Sequence, residues 1–368
     1  MKGLLMNAPL AVYIHFPYCK SRCPYCDYFR ALMPKGFDEQ SLIRRYLDDM
    51  RYFADICGKR EVTNVFFGGG TPSLLSPNAV GCVLDELARS FSLSETAEIT
   101  LEANPNSSSA EKFFGFRKAG INRLSLGVQA LNEADLKVLG RTHTLEEAVS
   151  SIENGMKIFP RFSADLIYAR PNQSWQDWEN ELKFALGFGM KHISLYQLTI
   201  MEGTAFYKKK IQVPTEDESA DLYENTVNTL QNYGLKRYEV SNFATDGEES
   251  RHNLVYWQGG DYIGLGEGAH GRLNLGEKGI FTTVDGRLDE QLSPQERAEE
   301  LIMMGLRIAS GIHEKDFEKG CGLKLFKYLD KNVIKKLAKD DLVWYDGFKI
   351  KLTAKGFMLL DEIVLELI

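Results

Sequence analysis

Short apolar, β-branched runs alternate along the chain with longer segments whose apolar residues recur every three to four positions. Six runs have the composition of strands: residues 11–16, 62–67, 98–103, 122–128, 163–168 and 192–199. The periodic segments between them are typical of helices: residues 38–56, 77–90, 109–119, 145–158 and 175–187. Strands that alternate with helices predict a parallel sheet, open or closed into a barrel.

Capping residues support these helices. Ser76 before Pro77 and Thr144 before two glutamates are typical helix starts, and Gly120 is a typical stop. A further helix is predicted near 215–233, followed by the strand-like KRYEVSNFA. The glycine-rich QGGDYIGLGEGAHG that comes next is incompatible with regular helix, and we expect a loop that closes one end of the sheet.

The pattern changes at about Ser293. A charged helix, two more helical segments, the pair LVWYDGF and KIKLT, and an apolar helix to Ile368 are typical of a small winged-helix appendage. A helical cap with a hairpin that only buries a barrel face fits the pattern as well as a recruitment surface does. We therefore divide the chain into a barrel (1–245), a glycine-rich segment (246–292) and a C-terminal α/β unit (293–368).

Composition narrows the class of protein. With 368 residues and 44% apolar side chains the chain can bury a large core, and its net charge of −7 argues against nucleic acid as a partner. Its apolar runs fall far short of the roughly 20 residues of a membrane span, so any membrane contact would be peripheral. The first residues lack the pattern of a secretory signal peptide, and we expect a cytoplasmic protein.

Three of the six cysteines fall close together, in HFPYCKSRCPYCDYF. Cys19, Cys23 and Cys26 follow the first predicted strand, and two prolines keep the segment out of ordinary helix, so the thiols can converge. Thiolates favour zinc, copper(I) or iron–sulfur clusters. Three ligands leave one iron of a cubane open to a cofactor or substrate. The alternative is a zinc site with His15 or a distant residue as the fourth ligand.

Polar and glycine residues follow later strands. The GGGTP segment after the second strand lets backbone approach a polar or zwitterionic ligand, although a tight strand-to-helix turn would also explain it. Glu102, Gln129 and Asp165 stand at the carboxyl ends of three strands, where (β/α) barrels carry their chemistry. They bind either a common ligand or one another, because buried polar groups need partners.

The C-x3-C-x2-C spacing, with Tyr25 before the last cysteine, resembles the radical S-adenosylmethionine superfamily. Within it, the segments CPYCDY, GVQALNEADLKVLGRTH, SLYQLTIMEGT, YEVSNFA and RHNLVYWQGGDYIGLGEGAHG resemble the HemW-type heme chaperones. The resemblance implies a partial (β/α)6 TIM-like barrel with a [4Fe–4S] cluster on the three cysteines. It also implies an adenosylmethionine pocket made of the following residues: Tyr13, Tyr25, Gly69, Gly70, Thr71, Glu102, Gln129, Arg141 and Asp165.

The same resemblance implies heme as a ligand and hemoproteins, respiratory ones among them, as recipients. The HNxxYW motif of these chaperones is represented here by four residues: His252, Asn253, Tyr256 and Trp257. An imidazole is a natural axial ligand of heme iron, and aromatic rings pack on a macrocycle. His270 and His143 are competing ligands, and on its own His252 would be interpreted as a surface or capping histidine.

Two other functions stay open. Oxygen-independent coproporphyrinogen III oxidases, close relatives of the chaperones, carry a further cysteine two positions after the last one, where this chain has Tyr28. That difference weighs against radical decarboxylation. The second is a zinc-stabilised binding module without redox chemistry.

The chain departs from the chaperone pattern at one place. Ala169 and Arg170 stand where the family has Gly-Leu before a proline. Alanine is harmless there unless φ is positive. Arg170 would change the pocket rim or contact a propionate.

Overall fold

A computed structural model describes residues 8–368 of the chain. The first seven residues, on which the signal-peptide expectation depends, lie outside the described part. Among the described residues, no helix combines the length and apolar character needed to cross a bilayer.

The first half of the chain alternates strands and helices as predicted. Its strands are β1 (Leu10–Phe16), the two-residue β2 (Tyr18–Cys19) and β3 (Ala31–Leu32), β4 (Glu61–Gly69), β5 (Ser92–Ala103), β6 (Arg123–Gln129), β7 (Arg161–Tyr168) and β8 (His192–Gln197). Its helices are α1 (Glu39–Cys57), α2 (Pro77–Ser90), α3 (Ala110–Ala119), α4 (Glu133–Val138), α5 (Leu145–Ile158) and α6 (Trp175–Leu186). The five predicted helices are confirmed to within two residues. The short α4 was not predicted.

Local chemistry explains where these helices begin and end. Ser76 accepts a hydrogen bond from the first turn of α2, and Thr144 forms a reciprocal capping box with Glu147 at the start of α5. Gly120 ends α3 with φ of 117°, a conformation that a side chain would strain.

The six long strands lie parallel in the order β1, β4, β5, β6, β7, β8. Alternate residues of each strand point to opposite faces. One face is apolar and packs under the helices; in β6 it presents Leu124, Leu126 and Val128. The other face is polar, and side chains from all six strands line a common interior. The sheet therefore curls into the α/β partial barrel expected from the sequence.

The next part of the chain contains three helices and six strands, and its strands extend the sheet at both edges. These elements are α7 (Ala205–Lys208), α8 (Glu216–Asn232), β9 (Lys236–Arg237), β10 (Asn242–Ala244), α9 (Arg251–Trp257), β11 (Asp261–Leu265), β12 (His270–Asn274), β13 (Ile280–Val284) and β14 (Arg287–Leu292). Strands β10 and β9 add antiparallel to β8. The two edges do not pair, so the barrel is open.

The prediction of a loop for the glycine-rich segment is wrong. Residues Asp261–Leu265 form β11, which pairs parallel to β1, and β12, β13 and β14 continue the sheet antiparallel. Gly264 is needed in this strand because a Cβ there would lie 2.5 Å from the His270 carbonyl oxygen. Strand β11 is tied to the rest of the barrel by a buried ion pair between Asp261 and Arg60 at 2.7 Å.

The C-terminal unit has its own apolar core, from Ala298 to Leu367. It consists of α10 (Pro294–Gly305), β15 (Ile312–His313), α11 (Glu314–Cys321), α12 (Leu325–Tyr328), α13 (Lys331–Lys339), β16 (Val343–Tyr345), β17 (Lys349–Leu352), α14 (Ala354–Phe357) and α15 (Leu360–Leu367). The three strands form an antiparallel sheet with β17 in the middle.

Ala169 and Arg170, which differ from the chaperone pattern, were each given an expectation from the sequence, and the structure corrects both. Ala169 has φ of +56°, so the alanine is not harmless at this position. The expectation that Arg170 contacts a propionate or the pocket rim is wrong. Its guanidinium is buried, donates to both carboxylate oxygens of Glu181, and lies 3.1 Å from Asp135. A charge buried this deeply needs such partners, which fixes the side chain away from the cavity.

We predict that Ala169→Gly stabilises the protein by about 1 kcal/mol, because glycine removes the cost of the left-handed backbone. Urea unfolding followed by circular dichroism measures the change. Ala185→Gly, a buried alanine in the last turn of α6, is the matched control and should destabilise the protein by about 1 kcal/mol or more. Equal losses in both variants would contradict the argument.

Candidate cofactor site

The three clustered cysteines line one cavity, the cofactor cavity, with a volume of about 410 Å³. Cys19 ends β2, while Cys23 and Cys26 lie in the irregular loop between β2 and β3. The two-residue pairing of β2 with β3 closes this loop. The chain is thus folded back on itself, and the three thiols face the same space.

Arg30 holds the cysteine loop together. Its Nε donates to the Cys26 sulfur at 2.9 Å, and its Nη2 donates to the carbonyl oxygens of Cys23 and Cys26 at 3.2 and 3.1 Å. The guanidinium brings positive charge to a thiol that a metal would bind as thiolate. Sequence reasoning missed this residue, although it is the first cation after the last cysteine.

The GGGTP segment forms the cavity edge at the end of β4. Gly69 has φ of +106° and donates its N–H to Glu102 at 3.2 Å. A Cβ on Gly70 would lie 2.4 Å from the Tyr18 carbonyl oxygen, so only glycine fits against the cysteine loop. Thr71 donates to the Cys19 sulfur at 3.4 Å. These glycines therefore do more than make a tight turn, because they bring backbone and thiol together.

Two carboxyl groups lie deep in the cofactor cavity. Burial, with a contribution from the nearby Asp165, raises the pKa of Glu102 to about 8. Burial also raises the pKa of Asp165, to about 6, but hydrogen bonds from Ser194 and Ser125 limit the rise. At neutral pH Glu102 is thus mostly protonated and Asp165 mostly ionised. A cationic ligand would fit here, because its charge would lower the pKa of Glu102 and pair with the ionised carboxylate.

Arg141 also contacts the cysteine loop. Its Nη1 lies 3.5 Å from the Cys23 sulfur, and its Nη2 donates to Asn104 and, at 2.9 Å, to the Gly127 carbonyl oxygen. Its Nε is buried without a partner among residues 8–368. An orphaned guanidinium N–H marks a place for an acceptor such as a carboxylate.

Eight of the nine residues predicted for the adenosylmethionine pocket line this cavity: Tyr25, Gly69, Gly70, Thr71, Glu102, Gln129, Arg141 and Asp165. Tyr13 is not brought into the group. It lines a second cavity of about 230 Å³ inside the barrel, the lumen cavity, with its hydroxyl 3.0 Å from Nδ1 of His15. Tyr28 lines both cavities and stands between them.

The ring nitrogens of His15 have partners other than the cysteines. Its Nδ1 contacts Tyr13, and its Nε2 lies 3.0 Å from the Phe29 carbonyl oxygen. Both ring nitrogens are therefore occupied. This arrangement counts against His15 as a fourth zinc ligand.

The HNxxYW motif forms helix α9 at the amino ends of the strands. Glu98 on β5 accepts the N–H groups of Arg251 and His252 at 2.9 and 3.3 Å, which ties the helix to the barrel. His252 is 1% exposed and stacks on Phe66 with 5.0 Å between ring centroids, so the motif histidine is not a surface residue. Tyr256 bonds its Nε2, while Nδ1 has no partner within the described chain.

The two competing histidines lie apart from α9. His143 is buried with Nε2 3.1 Å from the Val128 carbonyl oxygen, and burial with the nearby Arg141 lowers its pKa to about 4. His270 is exposed on β12. Burial likewise lowers the pKa of His252, to about 3, so its imidazole stays neutral at physiological pH.

Several cavity residues were missed from the sequence. They are Asn104, Ser125, Tyr196 and Gln197, together with Arg30. A signal was present for two of them, because Ser125 and Tyr196 occupy polar positions that alternate with apolar residues in RLSLG and HISLY. A parallel strand with one polar face indicates a hydrated or ligand-filled interior.

Comparison with known proteins gives concordant matches. The Radical SAM superfamily profile matches residues 13–185, and the HemN C-terminal domain profile matches residues 292–359. Radical S-adenosyl methionine domain-containing protein 1, mitochondrial, of Bos taurus is 37% identical over 97% of this chain and 87% of its own length. Heme chaperone HemW of Haemophilus influenzae is 34% identical over 97% of both chains.

One solved structure has the same fold over almost the whole chain. Coproporphyrinogen III oxidase (HemN) from Escherichia coli, a radical SAM enzyme, aligns with a TM-score of 0.82 over 98% of this chain and 90% of its own. The sequence identity is 21%. At this identity the likeness concerns the fold alone.

We predict that Glu102→Gln stabilises the ligand-free protein increasingly as pH rises from 5 to 8. The folded-state pKa of about 8 lies above the unfolded value. The stabilisation by Glu102 is therefore complete below about pH 4.5 and is lost as pH approaches 8. Glutamine has no such loss. Thermal unfolding should show a gain in Tm of about 3 °C or more at pH 8 and little gain at pH 5.

Glu202→Gln is the control for this prediction, because Glu202 is an exposed residue outside both cavities. Its stability should follow the wild-type pH dependence. If the Glu102→Gln and wild-type curves ran parallel over the whole pH range, the raised pKa would be refuted.

Proposed function

The chain belongs to the HemW family of the radical S-adenosylmethionine superfamily, and on this premise we propose that it is a heme chaperone. In this proposal it holds a [4Fe–4S] cluster and adenosylmethionine side by side, binds heme, and delivers it to hemoproteins. The reducing conditions that preserve clustered thiols fit action in the cytoplasm.

The observation that carries the proposal is the meeting of three thiols and eight predicted cofactor residues in one cavity. The donor set fits a cluster, since soft thiolates from one loop face one cavity and two of them are contacted by guanidinium groups. The orphaned Nε of Arg141 and the glycine edge fit a second, zwitterionic group next to it.

In the proposed site, Cys19, Cys23 and Cys26 bind three irons of the cluster. The bound cluster supplies one-electron chemistry and an iron without a protein ligand. Glu102 would accept from the ammonium group of adenosylmethionine and lose its proton as it does so. Arg141 would pair with the carboxylate.

Heme handling is assigned to helix α9 with His252, Asn253, Tyr256 and Trp257. Heme is the proposed ligand because the relatives are named heme chaperone HemW. The neutral imidazole and the aromatic rings of α9 are suited to a macrocycle.

We predict that Cys19→Ala, Cys23→Ala and Cys26→Ala each abolish the cluster, because each removes one of three thiolate ligands. After anaerobic reconstitution, iron content and visible absorption should fall at least about tenfold. Cys82→Ala removes an exposed cysteine outside the cavity and should retain both signals. Full iron content in any of the three variants would refute the assignment.

Wild-type protein titrated with heme under reducing conditions should shift and sharpen the Soret band relative to that of heme in buffer. The same protein, incubated anaerobically with coproporphyrinogen III, adenosylmethionine and a reductant, should form no protoporphyrinogen, since Tyr28 stands in place of the further cysteine. Formation of protoporphyrinogen would refute the chaperone proposal and identify the protein as an oxidase.

We predict that Arg30→Gln makes the reconstituted cluster harder to reduce. The guanidinium donates to a ligand sulfur, and such a hydrogen bond stabilises the more negative, reduced cluster. A tenfold change in the reduction equilibrium lowers the midpoint potential by about 59 mV for one electron. A redox titration monitored by electron paramagnetic resonance measures it.

Arg22→Gln removes the same charge from an exposed position in the same loop and serves as the matched control. Its midpoint potential should stay close to that of the wild type. Equal shifts in the two variants would mean that only net charge matters, not the Arg30 contact.

A further inference from the structure

Strand β6 ends with an irregular backbone at the edge of the cofactor cavity. Its pairing with β7 shifts register between Gly127 and Gln129. Gln129 has φ of +73°, in the left-handed region that residues with a side chain rarely adopt, and it lines the cofactor cavity. A strained conformation of this kind persists only where the surrounding structure holds it. We therefore expect the residues that follow Gln129 to be firmly fixed.

Glu181 on α6 holds the segment that follows Gln129. Its carboxylate accepts the backbone N–H of Leu131 at 2.7 Å and a hydrogen bond from the side-chain Nδ2 of Asn132 at 3.2 Å. Asn132 in turn caps α4, because its Oδ1 accepts the backbone N–H of Asp135 at 2.9 Å. One carboxylate thus fixes both the end of β6 and the start of α4.

Arg170 provides the charge that keeps this carboxylate buried. Its guanidinium donates to both oxygens of Glu181 and lies 3.1 Å from Asp135. Arg170 is 1% exposed and Glu181 is 7% exposed. A carboxylate buried this deeply is strongly destabilised once its cation is removed, so Glu181 stays at the Leu131 N–H because Arg170 is there. The leucine of the chaperone pattern could not supply this charge.

The segment that Glu181 fixes also carries Arg141. The backbone N–H of Arg141 donates to the carbonyl oxygen of Leu136 in α4 at 2.8 Å. The neighbouring Gly140 packs against the cysteine loop, where an added Cβ would lie 2.5 Å from Cδ of Pro24. Because α4 sets the position of this turn, it also sets the place of the Arg141 guanidinium beside the cysteine loop.

We propose that Arg170 and Glu181 form a buried ion pair that positions the adenosylmethionine pocket. Neither side chain is among the described residues that line the cofactor cavity. The pair acts through the segment between β6 and α5, residues 129–141, and so places Gln129 and Arg141 in the cavity. This inference rests on the proposed function and adds two positioning residues to its adenosylmethionine site.

The test compares two double variants of the full-length protein that both remove the two buried charges. Arg170→Leu/Glu181→Gln keeps a neutral acceptor for the Leu131 N–H, whereas Arg170→Leu/Glu181→Leu removes it. Replacement of a whole buried ion pair is often neutral or stabilising, so both variants should fold. Hydrogen exchange of residues 129–141, followed by mass spectrometry without adenosylmethionine, should be at least about tenfold faster in the leucine variant than in the glutamine variant.

The affinity for adenosylmethionine is the second measurement. Calorimetric titration of the anaerobically reconstituted protein should show binding weakened at least about tenfold in the leucine variant, because a misplaced pocket no longer fits the ligand. The glutamine variant should bind within about twofold of wild type. Arg272→Leu/Glu300→Leu removes an ion pair of 2.6 Å between β12 and α10, outside the cofactor cavity, and should change neither measurement.

A third variant, Asn132→Ala, removes the second donor to Glu181 without altering the ion pair, and decides the question if the leucine variant does not fold. It should bind adenosylmethionine several-fold more weakly than wild type. Wild-type affinity in the leucine variant, or in Asn132→Ala where that variant does not fold, would make the ion pair merely structural and overturn the inference. Equal losses in the leucine and glutamine variants would do the same. If wild type binds no adenosylmethionine, the proposed function fails, and this inference fails with it.

Discussion

The structure depends on one constraint, the two-sided character of its parallel strands. Each long strand places apolar side chains under the helices and polar side chains into the barrel interior. The apolar face provides the free energy of folding through burial. The polar face needs hydrogen-bond partners, because an unpaired buried polar group costs several kcal/mol. The protein therefore has an interior whose polar groups require partners, which a bound ligand would supply.

The cofactor cavity illustrates this coupling. Glu102 receives a single backbone N–H from Gly69, whereas Asp165 is bonded by serine hydroxyls. The two carboxyl groups consequently differ in pKa. Glu102 has fewer hydrogen bonds, so its protonation is the one that a ligand would change. Arg141 likewise keeps one N–H unpaired. In the proposed site, the groups that lack full hydrogen bonding in the ligand-free protein are the ones that would contact the cofactor, which is a common relation between stability and function.

The two ends of the barrel are built from different parts of the chain. At the carboxyl ends of the strands, the cysteine loop and the GGGTP edge come from the first residues of the barrel. At the amino ends, α9 and the C-terminal unit form a separate cleft. Glu98 joins the two regions, because it stands in β5 with Glu102 and also fixes the start of α9.

The sequence by itself determined the alternation of strands and helices, the helix ends at Ser76, Thr144 and Gly120, and the identity of the cysteine loop. These features follow from local periodicity, capping and spacing, which act over a few residues. The polar residues at strand ends were also predictable, since parallel strands bring their carboxyl ends together at one edge of the sheet.

Only the tertiary structure decided the rest. Strand β11 was predicted as a loop because its pairing with β1 joins residues some 250 positions apart, and glycine-rich strands carry no local signal. Arg30, the partners of Arg170, the left-handed backbone of Ala169 and the placement of helix α9 likewise depend on contacts between distant segments. Local composition states which chemistry a residue can perform. The folded chain decides which neighbour it meets, because burial and packing are set by the whole structure.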